Sequence, residues 1–109
     1  MINSRLSLDA ILRDILGSSN VYFQPPESKK MQYPCITYSL INIPERYADN
    51  SSYISHYCYQ VTLIDPDPDN EFVDKLKKLK YSKFVRTFST QGLNHYVFNL
   101  NYKNEKENN

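Results

Sequence analysis

The sequence predicts an α+β fold: one two-layer domain, a predominantly antiparallel sheet of four to five strands with two helices packed on one face. Three observations carry that prediction. Segments at 35–41, 53–64 and 96–102 alternate apolar and polar side chains, the period-two pattern of strands with one buried face. Segments at 5–16 and 70–80 instead repeat apolar residues every three to four positions, as helices with one buried stripe do. The elements run α-β-β-β-α-β-β, so strands come in groups and do not alternate one for one with helices, which favours an antiparallel sheet with the helices segregated to one side.

The first helix rests on Leu8, Ile11, Leu12, Ile15 and Leu16, with Arg5, Asp9, Arg13 and Asp14 mostly off that stripe. Ser4 or Ser7 is the expected N-cap and Gly17 the left-handed stop. Val21-Tyr22-Phe23 is a short strand cut off by Pro25-Pro26, and a polar loop with Lys29 and Lys30 follows. Cys35–Ile41 is a strand with Ile36, Tyr38 and Leu40 on one face and Cys35, Thr37 and Ser39 on the other. The segment 42–52, NIPERYADNSS, is longer than the two to five residues usual for a hairpin loop and is expected to be a binding arm or a disordered loop, with Arg46, Tyr47 and Asp49 as its candidate contacts.

The longest alternating run begins at Tyr53. Tyr57, Tyr59, Val61 and Leu63 make its apolar face, and His56, Cys58, Gln60 and Thr62 its polar one. Asp65-Pro66-Asp67-Pro68-Asp69 ends it. Phe72, Val73, Leu76 and Leu79 form the stripe of the second helix, capped by Asp69 or Asn70, with acids toward its start and lysines toward its end as the helix dipole favours. Strands at 84–89 and 96–102 are joined by a hairpin turn over Gln91-Gly92-Leu93-Asn94, with Gly92 free to take a positive φ. Residues 103–109 read as a flexible polar tail, and a single domain spans 1–109.

Composition narrows the function. Net charge is +1, so bulk electrostatics give no case for nucleic-acid or membrane binding. Six of the thirteen basic residues fall between Lys75 and Arg86, next to five acids between Asp65 and Asp74, and helix design accounts for that order. Ten Tyr and five Phe with no Trp suit a wide sheet and polar interfaces. No stretch approaches the roughly 20 apolar residues of a membrane span, and the first residues lead into an amphipathic segment, not an apolar signal core. Cys35 and Cys58 are expected as thiols packed in strands.

Sites of chemistry are weak. Asp65, Asp67 and Asp69 resemble the start of a calcium loop, but prolines fill the second and fourth places, Asn70 stands where Gly is needed and Leu76 where the closing Glu is needed. His56, His95, Cys35 and Cys58 lack the paired short spacing of a zinc site. No nucleophile sits beside a base and an orienting acid, and Gly17 and Gly92 are the only glycines, too few for a phosphate-cradling loop. The residues therefore predict no enzyme, no catalytic or metal residues and no cofactor.

Four stretches, VYFQPPE at 21–27, MQYPCITY at 31–38, YQVTLIDPD at 59–67 and GLNHYVF at 92–98, together resemble the tail-terminator or tail-completion proteins of the neck of long-tailed bacteriophages. The resemblance spans residues 5–102 and rests on structural motifs. It implies a virion protein, assembled in the host cytoplasm, whose subunits close into a ring, typically a hexamer, at the head-proximal end of the tail. The implied partners are further copies of the chain, the tail-tube protein and the head-completion connector, with genomic DNA passing through without sequence-specific binding. Arg46, Tyr47, Asp49, His56, Gln60 and Thr62 are the residues expected at the subunit or tube interface. The alternatives are another ring of the neck, such as a head-completion connector, or a small cytoplasmic regulator that binds protein or RNA.

Overall fold

The computed structural model describes residues 2–43 and 57–102. Its element order is α1 (Ile2–Leu16), β1 (Val21–Phe23), β2 (Cys35–Asn42), β3 (Tyr57–Asp65), α2 (Phe72–Lys77), β4 (Ser82–Thr90) and β5 (Leu93–Tyr102). This is the α-β-β-β-α-β-β order read from the sequence. The five strands form one sheet in the order β1-β2-β3-β5-β4. All neighbours are antiparallel except β1 and β2, which pair in parallel.

Alternation does what the pattern demands. Ile36, Tyr38, Tyr59, Val61, Leu63, Phe98 and Leu100 point to one face and are buried there with Leu8, Leu12 and Leu16 of α1 and Leu76 of α2. Burying side chains of this size contributes about 1.5–3 kcal/mol each, which fixes both helices to one side. Aromatic contacts continue across strands: Tyr38 packs on Phe23 and Tyr59 with ring centroids 5.0 and 5.9 Å apart. A polar clamp adds direction. The Tyr38 hydroxyl donates to Asp9 Oδ2 at 2.6 Å, and Arg5 Nη1 donates to that hydroxyl at 3.4 Å. Asp9 also pairs with Arg13 one turn along α1. Burial, and then the bond to Asp9, push the Tyr38 hydroxyl well above the ordinary phenol range.

Several boundaries differ from expectation. The first helix starts at Ile2, so neither Ser4 nor Ser7 stands at its N-cap position; the Ser7 hydroxyl shares a 2.6 Å hydrogen bond with that of Tyr102. Gly17 does end the helix, with φ +73° and its N–H donating to Arg13 O at 2.8 Å. The second helix is six residues, not eleven. Tyr81, at φ +64°, turns the chain, and Leu79 reaches the core from a turn outside the helix. Asn70 acts as its cap, its Oδ1 accepting the N–H groups of Phe72 and Val73. The hairpin turn is two residues, Gln91 and Gly92, at φ +54° and +76°. Two successive positive φ values mark the mirror-image turn whose twist matches the strands it joins, so Leu93 and Asn94 belong to β5.

The acidic run is punctuation. Asp65 Oδ1 accepts the N–H of Asp67, and Asp67 Oδ1 accepts that of Asp69, each at a position where the intervening Pro has no N–H to offer. Asn94 Nδ2 donates to the carbonyl of Asp65, tying the end of β3 to β5.

Candidate interaction surfaces

The sheet has a second face, and the register defines it. Three rows of side chains cross it. Cys35, Ile64, His95 and Phe88 stand opposite one another on β2, β3, β5 and β4. Tyr22, Thr37, Thr62, Val97 and Arg86 cross all five strands. Ser39, Gln60, Asn99 and Lys83 form the third row. Neither helix covers this face, because both pack on the other. The loop between β1 and β2 leans over it instead. Gln24, Pro25 and Met31 form one wall of a cleft of about 350 Å³ whose floor includes Thr37, Ser39, Gln60 and Thr62.

The sequence-predicted interface residues divide accordingly. Gln60 and Thr62 lie on this open face, half-buried, in the middle of β3, while Cys35, Ile64 and Val97 of the same face are buried. Arg46, Tyr47, Asp49 and His56 lie outside the described residues, so the arm of which they were the candidate contacts is not placed. Among the described residues, Thr37, Ser39, Gln60, Thr62 and Asn99 spend no side-chain hydrogen bond. Their donors and acceptors face outward or into the cleft, available to something else.

The cysteines are free. Cys35 opposes Ile64 in the first row, while Cys58 opposes Asn101 beyond the third, so the two thiols are held apart by the register. Burial, with the negative charge of Asp65 second, pushes the Cys35 thiol up to about 12. Burial also raises Cys58, whose Sγ donates to Asn101 Oδ1 at 2.7 Å. Raised thiols are poor nucleophiles at neutral pH. Among the described residues no three His, Cys, Asp or Glu side chains converge as metal ligands. Among the described residues no helix is long and apolar enough to cross a membrane.

A second surface was not singled out by the sequence. β4 pairs only with β5 and is exposed from Lys83 to Thr90. Phe84, Val85 and Phe88 stay 41–43% exposed and Tyr81, just before the strand, 60%. These four are half of the eight large hydrophobic side chains exposed among the described residues. Large apolar groups concentrated along one edge mark a contact surface more than scattered ones do. The register shifts between Phe84 and Arg86, where Val85 is the extra residue. That bulge sends Phe84 to the helix side, against Phe98 at 5.4 Å, and Phe88 to the open face, stacked on His95 at 4.5 Å. Phe84 and Phe88 share parity in the sequence, so only the bulge separates them. A small apolar hollow of about 170 Å³ beside Tyr81, between Leu8, Leu79 and Leu100, continues the apolar rim.

No family model, no curated protein and no solved structure matches this chain.

Proposed function

We propose that this chain is a structural subunit of the neck of a long-tailed bacteriophage, a tail terminator or tail-completion protein that closes into a ring, caps the tail tube and joins it to the head connector. Its place is the assembled virion, reached from the host cytoplasm. The observation that carries the reading is the β4 edge: four large apolar side chains stand exposed on one strand and the residue before it. A monomer gains nothing from that exposure, whereas a subunit that meets its neighbours buries it. The motifs at 21–27, 31–38, 59–67 and 92–98 supply the family resemblance.

The form of the contact follows from the edge itself. A bulge at Val85 and the charges of Lys83 and Arg86 are devices that discourage continuous strand addition along an edge. The neighbour is therefore met through Tyr81, Phe84, Val85 and Phe88 as packed side chains, and not by extending the sheet across all of β4. Such an edge packing on a different surface of the next copy is a heterologous contact, the kind that closes into a ring when the rotation allows.

Sedimentation velocity of the full chain over a range of concentrations tests this. A closed oligomer of one size, six subunits, is expected, and Phe84→Ser with Phe88→Ser should return it to monomer while the circular dichroism spectrum stays that of the parent. A chain that remains monomeric at every concentration, or an oligomer unchanged by the double substitution, would sink the reading.

A further inference from the structure

We propose that β4 is received by the opposite edge of the sheet in the next copy of the chain, where Ile41 and Ile43 at the end of β2 cover it and fill the apolar hollow beside Tyr81. The proposal rests on the ring reading, which it completes with a partner surface.

A heterologous contact needs two different surfaces on every subunit. Four of the eight exposed large hydrophobic side chains belong to the β4 edge, and Ile41 and Ile43, each 48% exposed, stand together on the other side of the sheet. β1 covers β2 only as far as Tyr38, which pairs with Phe23. The chain leaves the sheet at Gln24, φ +45°, and its Oε1 accepts the N–H of Leu40. Beyond Leu40 no strand lies against the outer side of β2 among the described residues. The two edges are built alike. Ile41 is the extra residue of a bulge between Leu40 and Asn42, as Val85 is between Phe84 and Arg86. Bulges re-aim side chains and interrupt pairing, so each edge holds one β-branched side chain out of the ladder, exposed to a neighbour.

Register brings the two edges level. One row crosses the sheet from Leu40 through Tyr59 and Leu100 to Ser82. The next runs from Asn42 through Cys58 to Asn101, whose N–H donates to Tyr81 O at 3.2 Å. Ile41 lies between these rows, at the height of Tyr81 and Ser82 on the far edge. Copies related by rotation about an axis that runs with the strands close into a ring when the two surfaces are level, and climb into a helix when they are offset. The hollow suits what the end of β2 offers. It measures about 170 Å³ and is lined by Leu8, Ile11, Leu79 and Leu100 with Tyr81. A cavity of about 150 Å³ holds a benzene ring, so a single isoleucine side chain fills this one and the other lies against Tyr81. The segment 35–43 carries no charge, so its approach to Lys80 and Lys83 brings no like-charge repulsion.

Sedimentation of two variants of the full chain, alone and mixed, tests this. Ile41→Ser with Ile43→Ser removes one surface, and Phe84→Ser with Phe88→Ser removes the other. Each variant alone is expected to be a monomer with the circular dichroism spectrum of the parent. An equimolar mixture should form a dimer of one copy of each and nothing larger, because only the intact β4 of the first meets the intact β2 end of the second. That dimer also reports that both variants are folded. Leu6→Ser with Tyr33→Ser, which removes the two remaining exposed large hydrophobic side chains, should leave the ring intact. The proposal falls if the Ile41 and Ile43 variant assembles like the parent, if the Leu6 and Tyr33 variant is the one that stays monomeric, or if the mixture yields no dimer. A parent chain that is itself monomeric overturns the ring reading and this contact with it, whereas a parent ring with any of those three results overturns the β2 contact alone.

Discussion

Tyr38→Phe is the substitution that most directly tests how α1 is held on the sheet. The ring of Tyr38 is 1% exposed and packs against Phe23 and Tyr59, and a Phe would keep both contacts. Only the hydroxyl is lost, and with it a 2.6 Å bond to the Asp9 carboxylate and the weaker approach of Arg5. A hydrogen bond to a charged group is worth about 1.5–3 kcal/mol, but removing the hydroxyl also removes its desolvation cost, and Asp9 keeps Arg13. We expect a net loss of about 1.5 kcal/mol, which is roughly a 6 °C fall in Tm for a domain of this size. Urea unfolding gives the free energy, and a cycle with Asp9→Ala isolates the pair. The two single losses should overlap, leaving a coupling of about 1 kcal/mol or more. A coupling near zero would mean that the helix is placed by Leu8, Leu12 and Leu16 alone and that the polar clamp is incidental.

Two further outcomes concern Cys35 and Gln91. Cys35 is raised from 9.0 to about 12, so the folded state keeps a proton that the unfolded chain releases; stability is fully present below pH 9 and falls as pH rises toward 12. Cys35→Ala should flatten that alkaline decline in urea titrations, although the raised Tyr38 hydroxyl leaves part of it in place above pH 10. Gln91 holds φ +54° in a turn that favours Asn at that place, so Gln91→Asn should raise stability by about 0.5 kcal/mol, visible as a higher urea midpoint; a lower midpoint would contradict the turn type.

The core was legible because its signal is redundant. β2, β3 and β5 each alternate, and any slip by one residue would move Tyr38, Val61 or Phe98 out of the core. Gly17 and Gly92 announced their positive φ values by being the only glycines in the chain. What failed to show was set by tertiary context. The stripe of Phe72, Val73, Leu76 and Leu79 predicted a longer helix because the core rewards Leu79 equally from a turn. The β4 surface stayed hidden because a bulge has no sequence mark, and without it Phe84 and Phe88 count as one buried face. Parity alone put Gln60 and Thr62 on the face opposite the helices, which is where the strand holds them.

The exposure of β4 has a thermodynamic side. A strand held by one neighbour, with both of its faces in contact with water, has little to lose by opening locally. Any assembly that covers it binds the closed form and not the open one, so the edge is stabilised by mass action. In the proposed ring the folded population of β4 depends most directly on subunit concentration, because its local opening breaks the contact, whereas β3 is paired on both sides within the chain itself. Order at this edge becomes a property of how many copies are present as well as of the chain.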